Sequence, residues 1–186
     1  IPELGPPPAL SVRTTVRDAF STLSIGVSDV DLPARHFEYD GISLSGPFQG
    51  RELHLTRRVS DQSRLRYATI PEGGNRFDLP YELQAPCWRK HKTGAGDVMG
   101  RLRWDQPSVT IRTEFFKPEK GRYLHPEANR PITHLEASRL QGFPDSYLWC
   151  GGKASIARQI GNAVPLQLGA ALGRHIAGAL RGFPSA

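Results

Sequence analysis

RPITHLEASRLQGFPDSY, residues 130–147, carries the densest local instruction in this chain of 186 residues. Thr133 followed three residues later by Glu136 is a capping box, in which hydroxyl and carboxylate each satisfy a backbone N–H at a helix start. The spacing predicts a helix over 133–143. Gly142 supplies its stop, and the FPDSY that follows reads as a turn.

Working outward, Pro165 suits the first position of a last helix. Within it Leu168, Leu172, Ile176 and Leu180 form an i, i+4 stripe, with Ala171 and Ala179 beside it. Gly169, Ala170, Gly173 and Gly178 leave room for a close neighbour. Such a helix needs a large apolar partner, which the rest of this sequence is not expected to supply. Upstream, SVTIRTEF at 108–115 alternates and predicts a strand. Val109, Ile111, Thr113 and Phe115 face one way; Thr110, Arg112 and Glu114 face the other. The second face fits contact with a nucleic-acid backbone, or plain solvation.

Glycines and prolines recur from about 24 to 100, where helical periodicity is scarce; this stretch reads as loops and short strands. Residues 14–23 read as a short helix with Thr15 as N-cap and Asp18 near the positive end of its dipole. Val16, Ala19, Phe20 and Leu23 share its inner face. Residues 1–12 are a Pro-rich entry segment.

Net charge is +6, and it is concentrated. Residues 85–125 hold nine Lys and Arg against four acids (Asp97, Asp105, Glu114, Glu119), leaving only +1 for the remainder. Concentrated positive charge suits a polyanion, whose neutralised phosphates release counterions; a solvated basic loop is the alternative. No apolar run is long enough to span a membrane, and no basic-then-apolar leader opens the sequence. Two cysteines make no disulfide framework. A cytoplasmic setting is expected. Cys87, in APCWRKHK at 85–92, stands among basic residues that can activate a thiol. Cys87 and His91 would give only two metal ligands, and no second pair follows, so no metal is expected.

Two segments resemble the last two motifs of DNA (cytosine-5) methyltransferases. In RPITHLEASRLQGFPDSY the matching residues are Arg130, Thr133, Glu136, Arg139, Leu140, Gln141, Phe143 and Pro144, with Ile132 in place of Leu. In RQIGNAVPLQLGAAL (158–172), Gln159 to Pro165 match throughout. TVRDAF (15–20) resembles the stretch before the family's target-recognition region. DVMGRLRWDQPSVTIRTEFFKPEKGRYLHPEANRP (97–131) is similar to the end of that region in bacterial, Dcm-like members, with Thr110-Ile111 where a threonine-aliphatic pair meets the DNA backbone. The F-x-G-x-G, P-C-Q, E-N-V and Q-x-R-x-R motifs are absent from these residues.

The resemblance implies an α+β fold: a loop-rich small β lobe, the target-recognition domain, with flanking helices that complete the Rossmann-like methyltransferase core of a missing N-terminal half. Residues 1–24 would belong to the catalytic-domain side, 25–128 to target recognition, and 129–186 to the last two motifs and the C-terminal helix. It implies transfer of methyl from S-adenosylmethionine to C5 of cytosine in a specific duplex site. Covalent addition of a cysteine activates the ring, and the target base is flipped out of the helix. Cys87 is followed by Trp88 rather than glutamine and lies inside the recognition region, so no catalytic residue is expected here. Gly161, Asn162 and Ala163 would sit by the cofactor. Thr110 and Arg112, then Arg101, Lys90, Lys92 and Lys117, would contact DNA phosphates. Arg64, Arg66, Asn75 and Arg76 are candidates for reading bases. The partners implied are double-stranded DNA and the N-terminal catalytic half, on the same gene or as a separate subunit. The alternatives are a non-catalytic, sequence-specific DNA-binding module derived from such an enzyme, and a structural remnant.

Overall fold

The computed structural model describes residues 13–90 and 93–181. The entry segment 1–12, His91 and Lys92 lie outside them. Among the described residues the chain runs α1 (Val16–Phe20), β1 (His36–Tyr39), β2 (Ile42–Ser45), α2 (Asp61–Thr69), α3 (Pro86–Lys90), α4 (His134–Leu140), α5 (Lys153–Asn162) and α6 (Leu166–Arg181). Short 3-10 turns occur at Gly50–Leu53, Arg76–Asp78, Tyr81–Leu83 and Pro118–Lys120. The mixture of helices with one small sheet agrees with the expected α+β class.

Local chemistry explains several boundaries. Thr15 and Thr133 each accept a bond from the third helical N–H, and the Asp18 and Glu136 carboxylates each accept one from the cap residue's N–H. Gly142 ends α4 with a φ of +83°, a conformation glycine adopts without steric cost. β1 and β2 pair antiparallel from His36↔Ser45 to Tyr39↔Ile42 across the two-residue turn Asp40-Gly41. Both turn residues have positive φ, the backbone that matches strand twist in a tight hairpin.

Two cores form. The larger collects Val16, Phe20, Phe48, Leu53, Ile111, Phe115, Leu135, Trp149, Ile156 and Ile160 among others, and so draws on all three expected segments. The smaller holds Tyr67, Ile70, Leu79, Met99 and Leu124, with Trp88 packed against it. Arg101 joins them. It is buried and donates to the carbonyls of Tyr67 and Ile70 on one side and of His125 and Ala128 on the other.

Two expectations are corrected. Residues 108–115 form no strand: no ladder pairs 108–112, and 113–116 fold into a turn closed by the Phe115 N–H on the Arg112 carbonyl. Their alternation still sorts burial: Ile111 and Phe115 are buried while Thr110 and Arg112 are exposed. The irregular stretch contains the nine-residue helix α2, whose polar sequence DQSRLRYAT hid it. Only Tyr67 of α2 is buried, and Ser60 caps it.

Candidate functional site

The two matching segments meet as one unit. α4 presents Gln141 at its end. The buried Gln141 amide donates to the carbonyls of Ile160 at 2.8 Å and Ala163 at 3.2 Å, holding the last turn of α5 and the residue after it. Gln159 donates to the Cys150 carbonyl at 2.8 Å, pinning the approach to α5.

Gly161 brings α5 against residues 110–113. A Cβ at Gly161 would lie 2.3 Å from the Thr113 nitrogen and 2.5 Å from the Arg112 carbonyl carbon. Only glycine admits backbone that close. The missing side chain of Gly161 therefore serves this packing. The Tyr123 hydroxyl donates to the Thr110 carbonyl at 3.0 Å and fixes the same run from beneath. Thr110 and Arg112 thus lie exposed along a seam with α5, whose final residue, Asn162, is exposed as well. Ala163 is half-buried beside it. A cleft of about 410 Å³ opens here, lined by Thr15, Thr110, Ile111, Gln141, Pro165 and Leu168 among others.

Behind the seam is a buried ionic centre. Arg130 grips the Glu136 carboxylate with two bonds of 2.8 and 2.7 Å and also reaches the Ile25 carbonyl. Burial pushes the Glu136 carboxyl up, but the Arg130 bonds and charge and the Thr133 N–H outweigh it and hold the group below its ordinary value. His125 lies 3.8 Å from Glu136. Its Nδ1 accepts from the N–H groups of Glu127 and Ala128, so the proton sits on Nε2. Burial, opposed by Glu136, lowers His125 to about 4 and keeps it neutral. Burial likewise lowers His134 to about 4. That ring lies near-parallel to Phe116 and bonds the Lys153 carbonyl. Arg139 clamps Asp145 through two bonds and reaches Ala19 and Thr22, tying α4 to α1.

The expected DNA contacts do not form one group. Thr110 and Arg112 share the seam. Lys90 is exposed at the end of α3, and Lys92 lies outside the described residues. Lys117 is half-buried, bonded to Glu114, and its charge sits over the Phe116 ring. Arg101 is corrected outright: it is 3% exposed and spends its guanidinium on backbone carbonyls, so no phosphate can reach it. Among the candidate base readers, Arg76 is buried and bonds Thr93, while Arg66 bonds the Leu83 carbonyl and stacks on Trp88. Asn75 caps a turn, and only Arg64 stands mostly in solvent. Cys87 is exposed and Cys150 half-buried. Among the described residues no metal-binding cluster forms, and no helix is long and apolar enough to cross a membrane. Neither Gln141 nor His125 has a role legible in the sequence; Gln141 stands among the matching residues, whereas nothing local marks His125 as buried.

Comparison with known proteins places these features in a family. Residues 43–178 match the model of C-5 cytosine-specific DNA methylases. The type II methylase M.HgiDII of Herpetosiphon aurantiacus is 34% identical over 174 residues, 91% of this chain and 45% of that protein. The type II methyltransferase M.Sau96I of Staphylococcus aureus is 34% identical over 127 residues, 67% of this chain and 29% of its own. DNA (cytosine-5)-methyltransferase 1 of Mus musculus is 33% identical over 76% of this chain and 8% of its own. In fold, the chain is similar to a crystal structure from E. coli assigned as a prophage-encoded DNA modification methyltransferase. The TM-score is 0.57 at 19% identity, covering 94% of this chain and 49% of that one. The chain spans less than half the length of these relatives.

Proposed function

We propose, from the premise that the chain belongs to the C-5 cytosine-specific DNA methylase family, that it is the DNA-recognition and C-terminal portion of a DNA (cytosine-5) methyltransferase. The observation that carries this reading is the seam. Gln141 and Gly161 fasten the two matching segments to each other and to the run bearing Thr110 and Arg112.

Each residue then has a role. Thr110 and Arg112 hold the duplex backbone, with Lys90, Lys92 and Lys117 as further contacts. The Asn162 amide is exposed with no partner among the described residues, and beside it Val164 is 64% exposed. An open polar group next to open apolar surface fits a cofactor of mixed character. Asn162 and Ala163 would hold S-adenosylmethionine, while Gly161 keeps their turn in register with the DNA-binding run. When bound, the cofactor supplies the methyl group. The nucleophilic cysteine and the remaining cofactor contacts belong to an N-terminal catalytic half, against which α6 would lay its apolar face to complete a Rossmann-like core. The setting is cytoplasmic, and the substrate is duplex DNA at a specific site.

The test is transfer of labelled methyl from S-adenosylmethionine to mixed-sequence DNA, by this chain alone and with a matched N-terminal half. Transfer only in the mixture is the expected result. Transfer by the chain alone would overturn the assignment and make Cys87 the nucleophile. Silence in both, with DNA binding intact, would leave a binding module.

A further inference from the structure

Arg158 lies exposed on α5, and its guanidinium has no partner among the described residues. Arg112, exposed across the seam, likewise has no carboxylate within ion-pair reach there. Arg57, Lys117, Lys120 and Lys153 each stand beside an acid, whereas Arg103 and Arg174, away from the seam, stand beside none.

The seam places these two arginines together. Helix positions three apart are surface neighbours, with Cβ atoms about 5–6 Å apart. Arg158 is three residues before Gly161, and a Cβ at Gly161 would touch the Arg112 carbonyl carbon. The root of the Arg158 side chain is therefore on the order of 8 Å from the Arg112 backbone. Both cationic side chains are exposed at the seam, and neither has an acid within ion-pair reach among the described residues. The Thr110 hydroxyl stands two residues from Arg112 on the same face of the run. Such a set of donors selects an oxyanion. A phosphodiester fits it, with two oxygens sharing one charge and matching guanidinium forks.

We propose that Arg158 and Arg112 together clamp one phosphate of the duplex, so that α5, and not the recognition segment alone, grips the DNA. This rests on the DNA-binding reading above. Gly161 then sets the spacing of the clamp as well as the packing of the seam.

The experiment is fluorescence polarisation of a labelled duplex against the 186-residue chain over a salt series, for wild type, R112A, R158A and the double variant. Circular dichroism checks that each is folded. Each single variant should weaken binding roughly tenfold, the loss of a charge-assisted hydrogen bond. The double should lose little more than either single, because one phosphate is shared. Its salt slope should be shallower by about 0.9. Unchanged binding in R158A, or fully additive losses, overturns the clamp while leaving the family reading intact. No salt-dependent binding by wild type sinks the DNA-binding reading itself. Unchanged DNA binding in R158A with weakened S-adenosylmethionine binding in equilibrium dialysis would assign the anion to the cofactor carboxylate and overturn the proposal.

Discussion

Glu136 shows how one residue serves two levels. Its carboxylate caps α4 through Thr133 and neutralises Arg130 in the interior. Removing one partner strands a buried charge, which costs far more than a surface pair is worth. Glu136→Ala should therefore lower unfolding stability by about 3–5 kcal/mol in urea titration. The paired change Arg130→Met with Glu136→Leu should recover more than half of that, since no lone charge remains. The neutral histidines give the fold an acid sensitivity. His125 and His134 are held near 4, below the ordinary 6.5, so the unfolded chain takes up protons first as pH falls. Their contribution is complete above pH 6.5 and is lost progressively as pH falls from 6.5 towards 4. Glu136, also depressed, adds a loss at still lower pH. Denaturant titrations at pH 7 and pH 5 should show the fall, and His134→Gln should make it shallower.

Among the elements, α4 and α5 matter most because they carry the matching segments and pack on each other in the larger core. The contact at Gly161 cannot absorb a methyl group: the obstacle is the backbone of 112–113, not a flexible side chain. Gly161→Ala should destabilise by about 1–3 kcal/mol, as overpacking does. It should also weaken duplex binding by shifting Arg112. Gly169→Ala, whose added Cβ meets nothing within 4 Å, is the control and should do neither. Gln141→Leu strips the Ala163 carbonyl of its side-chain donor and leaves the Ile160 carbonyl with the 3.3 Å bond from the Ala163 N–H alone, and should cost about 1–3 kcal/mol in the same titration.

At the scale of the whole molecule, α6 stands out. Leu168, Leu172, Ile176 and Leu180 are 45, 37, 47 and 63% exposed, so the stripe lies open along the helix. A continuous apolar face of this kind drives association in water. The isolated chain should self-associate in sedimentation velocity at micromolar concentration. Leu172→Lys with Ile176→Lys should return it to a monomer without changing duplex affinity. A monomeric wild type would show that this face is not sticky enough to demand a partner.

The sequence by itself determined the helix starts at Thr15 and Thr133, the stop at Gly142 and the apolar stripe of α6, because caps and periodicity act within a few residues. It also carried the family, through matching residues in one order. Tertiary structure decided the rest. Arg101 and Arg112 stand eleven residues apart in one basic stretch, yet one is a buried clamp on carbonyls and the other is exposed. Charge counts could not separate them, since burial depends on what distant segments such as α2 and residues 125–129 bring to the site. The alternation at 108–115 still sorts Ile111 and Phe115 inward from the exposed Thr110 and Arg112, but a strand needs a partner, and a turn at 113–116 ends the run before one is reached.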